Sequence, residues 1–117
     1  MDLRERTTST TQRHPWERAR RRAVDALVRE HAAAGPLLDV GAGDGFVARH
    51  FAVDRDVVAV DAHFSDDDVA DLAAAGIGAA KSLPARHDFA VALLLDVIEH
   101  VDDDVALLRD TRACLRD

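Results

Sequence analysis

Leu37-Leu38-Asp39-Val40-Gly41-Ala42-Gly43-Asp44-Gly45 decides how this chain is read. Its first four residues form an apolar run with one acid, as in a buried strand. Three alternating glycines then lead into Phe46 and Val47, where a helix opens. A glycine loop at a helix N-terminus lets backbone N–H groups come close to a ligand. Sixteen residues past Gly45, a second strand, Asp56-Val57-Val58-Ala59-Val60, ends on Asp61. An acid at that tip is placed to accept hydrogen bonds from a ribose diol. Together these features describe a nucleoside-cofactor pocket.

The glycine register says which cofactor. A dinucleotide fingerprint is G-x-G-x-x-G, with the third glycine needed for close helix–strand packing. Here that position holds Phe46, the glycines run G-x-G-x-G, and Asp39 stands two residues before the first. A carboxylate there suits a cationic amine and would repel a pyrophosphate. The stretch resembles motif I of the class I S-adenosylmethionine-dependent methyltransferases, an acid followed by G-x-G-x-G, and the resemblance extends from about Trp16 to the C-terminus. It implies a cofactor site of Asp39, Gly41, Ala42, Gly43, Gly45, Asp61 and Ala62, with S-adenosyl-L-methionine as the cofactor.

Outward from the loop, strands and helices alternate. Residues 1–13 are polar around Thr7-Thr8-Ser9-Thr10-Thr11 and are expected to form a disordered arm before a domain over residues 14–117. A helix is expected from Pro15, with Trp16, Ala19, Ala23, Leu27 and His31 on one side, ending at Gly35-Pro36. Strands are expected at Leu37–Val40 and Val57–Val60, with a short helix between them over Asp44–Ala52. Ser65 caps the next helix, Asp66, Asp67 and Asp68 fill its first turn, and Gly76 stops it. Ile77–Ala80 reads as a weak third strand. Phe89–Leu95 is a continuous apolar run, expected as a strand covered on both faces. A last helix is expected from about Asp103 to Leu115, capped by Asp102. The alternation implies an α/β, Rossmann-like, doubly wound parallel sheet. The resemblance implies strand order 3-2-1-4, the N-terminal half of a seven-stranded fold. A chain that stops after the helix following strand four then reads as a truncated or split enzyme, with strand four as an open apolar edge inviting self-association or a partner.

Composition narrows the partners. Of 117 residues, 48% are hydrophobic and 4% aromatic, enough for one globular domain with a core of small side chains. Net charge is −7, unevenly spread: residues 1–30 hold eight Arg against five acids, and the remainder is strongly acidic. An acidic body argues against nucleic acid, whose phosphates need a basic face. No apolar run approaches transmembrane length and no signal-peptide core stands at the N-terminus, so no membrane partner is expected. A single cysteine, Cys114, fits a reducing, cytoplasmic setting. The Asp runs at 66–68 and 102–104 lack the D-x-D-x-D-G spacing of a calcium loop, and the histidines form no ligand set, so no metal is expected.

Leu95-Asp96-Val97-Ile98-Glu99-His100-Val101 follows the fourth strand and looks like the D-V-[LI]-E-H segment of small-molecule methyltransferases. That resemblance puts Asp96 near the methionine part of the cofactor, Glu99 or His100 near the substrate as catalytic candidates, and a small molecule as methyl acceptor. His14-Pro15-Trp16-Glu17-Arg18-Ala19-Arg20-Arg21 resembles an H-W-W-x-R-A-R-R helix that lids the pocket in some of these enzymes; Pro15 and Glu17 depart from it. The acid that often meets the adenine amine is missing from Ala79-Ala80-Lys81-Ser82-Leu83-Pro84, which leaves backbone groups around Ser82 and Leu83 to hold adenine. Two rival functions stand beside methyl transfer. One is a non-catalytic nucleoside-cofactor-binding or interaction module; the weaker is an NAD-dependent oxidoreductase, disfavoured by Phe46 and the glycine register.

Overall fold

The computed structural model describes residues 14–95, 97 and 101–117. The arm expected over residues 1–13, and the candidates Asp96, Glu99 and His100, lie outside the described residues. Among the described residues the chain runs α1 (Pro15–His31), β1 (Leu37–Val40), α2 (Phe46–Phe51), β2 (Val57–Val60), α3 (Asp66–Ala74), β3 (Gly78–Ala80), β4 (Val91–Leu94) and α4 (Asp104–Ala113). The strands form one parallel sheet in the order β3-β2-β1-β4. The expected doubly wound order is therefore present. Leu37 pairs with both Val57 and Val91, so β1 lies at the centre with its tip between those of β2 and β4.

Strand alternation sorts the core into two layers. Leu37, Val57 and Ala59 face Val28 of α1, Ala48 and Phe51 of α2, and Leu72 of α3. Leu38, Val40 and Val60 face the other way, onto Phe89, Cys114, Leu83 and Leu107 of α4. Asp39 shares the parity of Leu37, so its side chain enters the layer of α1, α2 and α3. All four residues of β1 are buried. β4 is different: Val91–Leu94 are only half-buried. The apolar run is covered on both faces as expected, Val91 and Leu93 in the layer of α1, α2 and α3 and Ala92 and Leu94 in that of α4, while β1 is its one strand neighbour among the described residues.

Local chemistry sets the helix ends. Ser65 Oγ accepts from the Asp68 N–H at 3.1 Å, and the Asp68 carboxylate accepts from the Ser65 N–H at 2.7 Å, closing a reciprocal cap on α3. Asp68 is therefore a capping partner as well as a first-turn charge. α4 is capped by Asp103, whose Oδ1 accepts from the Ala106 N–H at 2.9 Å, and not by the expected Asp102.

α1 departs most from expectation. The side carrying Trp16, Ala19, Ala23 and Leu27 faces solvent, with Trp16 56% and Leu27 58% exposed. The inner side carries Glu17, Arg20, Arg21, Val24, Asp25 and Val28, of which Val28 alone is buried. Charge is added here to the apolar packing of Val24 and Val28. Asp25 accepts from Arg29 at 2.9 Å and lies 2.6 Å from His50 Nε2 of α2. These two partners, His50 first, hold the Asp25 carboxyl below its usual range. Arg29 also reaches Asp54 at 3.5 Å.

Candidate functional site

The glycine loop is fixed by its own backbone. The Gly41 and Ala42 N–H groups both donate to the Val60 carbonyl, at 2.7 and 3.1 Å, tying the loop to the β2 tip. Gly45 N–H donates to Ala42 O at 3.0 Å, and Phe46 N–H to Asp44 Oδ1 at 3.0 Å, where α2 begins. Gly41, Gly43 and Gly45 have φ of 76°, 59° and 80°, a region that side-chain-bearing residues rarely adopt. At Gly41 a Cβ would also stand 2.9 Å from Val97 Cγ2, and at Gly45 2.9 Å from Leu72 Cδ2. All three glycines thus meet a backbone requirement, and Gly41 and Gly45 a space requirement as well.

Two acids flank this loop in opposite states. Asp39 is 2% exposed, and its Oδ2 has no hydrogen-bond partner among the described residues. Burial pushes its carboxyl up to about 7; nearby Arg20 opposes that rise, while Asp61 and Asp44 add to it. Asp61 is half-buried and doubly bonded: its Oδ2 accepts from Gly43 N–H at 2.8 Å and its Oδ1 from His63 N–H at 2.9 Å. Its own N–H donates to Ala80 O at 3.1 Å, which joins the β2 and β3 tips. Ala62 is exposed in the turn after it.

Asp39, Gly41, Ala42, Gly43, Gly45, Asp61 and Ala62 therefore cluster at the C-terminal ends of β1 and β2, the end at which open α/β sheets bind ligands. Val97, the one described residue of the D-V-I-E-H segment, packs where a Gly41 side chain would stand. Ser82 and Leu83 follow the β3 tip but turn to the other side of the sheet. Leu83 packs in the α4 layer, and both line a cavity of about 440 Å³ with Pro84, Arg86, His87 and Cys114.

Two residues of the site were not singled out in the sequence. Arg20 approaches Asp39 closely enough to ease its ionisation. Arg21 stacks over Phe46 with its guanidinium carbon 5.2 Å from the ring centroid, and its Nε is buried without a hydrogen-bond partner. Both lie within the Arg-Ala-Arg-Arg run already set aside as a lid motif. The available signal was their spacing one turn after Glu17; Arg20 also stacks on Trp16, its guanidinium carbon 5.1 Å from the ring centroid. Phe46, which displaces the third glycine of a dinucleotide loop, thereby becomes a platform for an α1 cation.

The unpartnered Asp39 oxygen and the glycine cradle suit a ligand with a cationic amine beside a part slim enough to run along a backbone. Among the described residues no helix is long and apolar enough to cross a membrane. No curated protein matches the chain. The sequence model of the methyltransferase domain family matches residues 11–117, and the chain belongs to that family.

Proposed function

We propose, from that membership, that the chain binds S-adenosylmethionine at the Gly41–Gly45 loop and serves methyl transfer to a small-molecule acceptor. The observation that carries this reading is Asp39, a buried carboxylate with a free oxygen beneath a loop of three left-handed glycines. An isolated buried acid is costly, and a ligand ammonium relieves the cost by favouring the charged form. A pyrophosphate at the same place would raise it.

In this reading Asp39 holds the ammonium of the amino-acid end. Gly41, Ala42, Gly43 and Gly45 let that end lie against the backbone. Asp61 keeps its bonds to Gly43 and His63 and uses its remaining lone pairs for the ribose hydroxyls, beside Ala62. Ser82 and Leu83, whose side chains turn to the α4 side of the sheet, would meet the adenine edge through their backbone groups alone. By sequence position Asp96 stands near the methionine part, with Glu99 or His100 towards the acceptor. The cofactor supplies an activated methyl group on a sulfonium; the chain's part is alignment of the two reactants. The acidic body supports a small molecule over nucleic acid as acceptor, and the lone Cys114, buried and free, supports a reducing cytoplasmic setting.

Calorimetric titration with S-adenosylhomocysteine tests the reading. Wild type is expected to bind, and Asp61→Ala to bind about tenfold more weakly or worse for loss of the ribose acceptor. A folded wild-type sample that takes up no ligand would remove the cofactor assignment.

A further inference from the structure

α1 is held to the body unevenly along its length. No residue from Pro15 to Ala23 is buried, and the apolar anchors, half-buried Val24 and buried Val28, come after them. These two valines stand one turn apart on one face, so they act as a pivot. They fix where α1 touches the body and leave its tilt to other contacts. Yet the unanchored half is the one that reaches the site. Arg21 stacks on Phe46 at the start of α2, and Arg20 lies near enough to Asp39 to favour its charged form.

Beside the pivot stands Asp25. Its Oδ1 lies 2.6 Å from His50 Nε2, a contact between α1 and α2 that is partly open to water. Both sides of it are braced. Arg29 donates to both Asp25 oxygens, at 3.1 and 2.9 Å, and reaches Asp54 at 3.5 Å. His50 stands edge-on to Phe51, with ring centroids 5.0 Å apart, and Phe51 is buried. His50 belongs to α2, which starts directly after Gly45. The contact therefore ties α1 to the helix that the glycine loop opens. The charged groups around His50 are Asp25 and Arg29 from α1 and Asp54 beyond α2; those around Asp39 are Arg20 from α1, Asp44 in the loop and Asp61 after β2.

We propose that Asp25 and His50 are positioning residues, whose contact holds the first half of α1 closed over the β1 tip and so keeps Asp39 dry and Arg20 beside it. With the contact broken, α1 swings on its valine pivot, water reaches Asp39 and Arg20 leaves. Burial is the larger influence on that carboxyl, so losing the cover outweighs losing the cation. This role rests on the reading of Asp39 as the holder of a ligand cation. It is measured on the free protein, so a failure of ligand binding and a failure of the contact are separate results.

Carbon NMR of the Asp39 carboxyl through a pH titration tells cover from cation. Wild type is expected to titrate at about 7. Arg20→Gln, with α1 still closed, is expected to titrate higher. Asp25→Asn and His50→Gln, each folded by circular dichroism, are expected to titrate at least about one pH unit lower than wild type, and the double variant no lower than either single. In both single variants the amides of residues 17–23 are expected to exchange at least about tenfold faster, while β1 stays protected. Wild type alone gives a further reading: those same amides are expected to exchange faster at about 1 M salt than at about 0.1 M, because salt screens a partly open contact. An Asp39 midpoint unmoved in the folded Asp25→Asn and His50→Gln proteins overturns the proposal. So does a midpoint that rises in them as in Arg20→Gln, or wild-type exchange over residues 17–23 that ignores salt.

Discussion

Asp39 and Asp61 stand at the tips of adjacent strands, one residue type in two states. Asp39 is buried with an oxygen that has no partner among the described residues, and burial pushes its carboxyl up to about 7. Asp61 is half-buried and spends both oxygens on backbone N–H groups of Gly43 and His63. The β2 tip is finished by the fold: its acid is structural before any ligand comes. The β1 tip is left unfinished: Arg20 eases the ionisation of its acid only in part, and its Oδ2 has no partner among the described residues. Paired acids around one loop can thus divide the work, one shaping the loop and the other waiting for charge.

Titration separates the two tips most sharply. A carboxyl whose folded value lies above its unfolded value stabilises fully below the unfolded value and loses that contribution as pH rises. For Asp39 the loss runs from about pH 4 to about pH 7 and amounts to ~4 kcal/mol at most, from a shift of roughly three units. Denaturant melts across that window are expected to show wild type weakening and Asp39→Asn staying nearly flat. A wild-type curve as flat as the variant's would erase the difference between the tips.

Gly41→Ala comes next. Its φ of 76° and a Cβ 2.9 Å from Val97 are expected to cost ~3 kcal/mol, read from urea melts. Asp61→Ala follows at ~1–2 kcal/mol, because the Gly43 and His63 N–H groups lose their acceptor to partial solvent. If Asp61→Ala proved neutral in stability, the β2 acid would be as unfinished as the β1 acid. Ser65→Ala, remote from both tips, is expected to cost ~1 kcal/mol by opening the α3 cap, and to leave ligand affinity unchanged.

Much of the fold was legible because it rests on local chemistry. The bounds of β1 and β2, the Ser65 cap and the glycine register are written in short stretches, and each stands where expected. The α4 cap slipped by one residue because Asp102, Asp103 and Asp104 offer the same chemistry in a row. β4 reads as covered on both faces and is so, but its half-burial at the border was not legible, because an apolar run looks alike at the centre and at the border of a parallel sheet. The α1 stripe misled for a deeper reason. Periodicity finds an apolar side but does not say whether it turns inward, and here Asp25, His50, Arg20 and Arg21 give the opposite side its contacts. Asp61 was placed correctly in space, yet its bond to Gly43 spans 18 residues and leaves no mark in local sequence.

The central claim is that the β1 tip awaits a cation, and the pH dependence of S-adenosylhomocysteine affinity tests it most directly. Calorimetry from about pH 5.5 to about pH 8 is expected to show wild-type binding strengthening as Asp39 ionises, by up to about tenfold per unit below 7, with Asp39→Asn weak and nearly level. Equal affinity and equal pH response in the two proteins would contradict it.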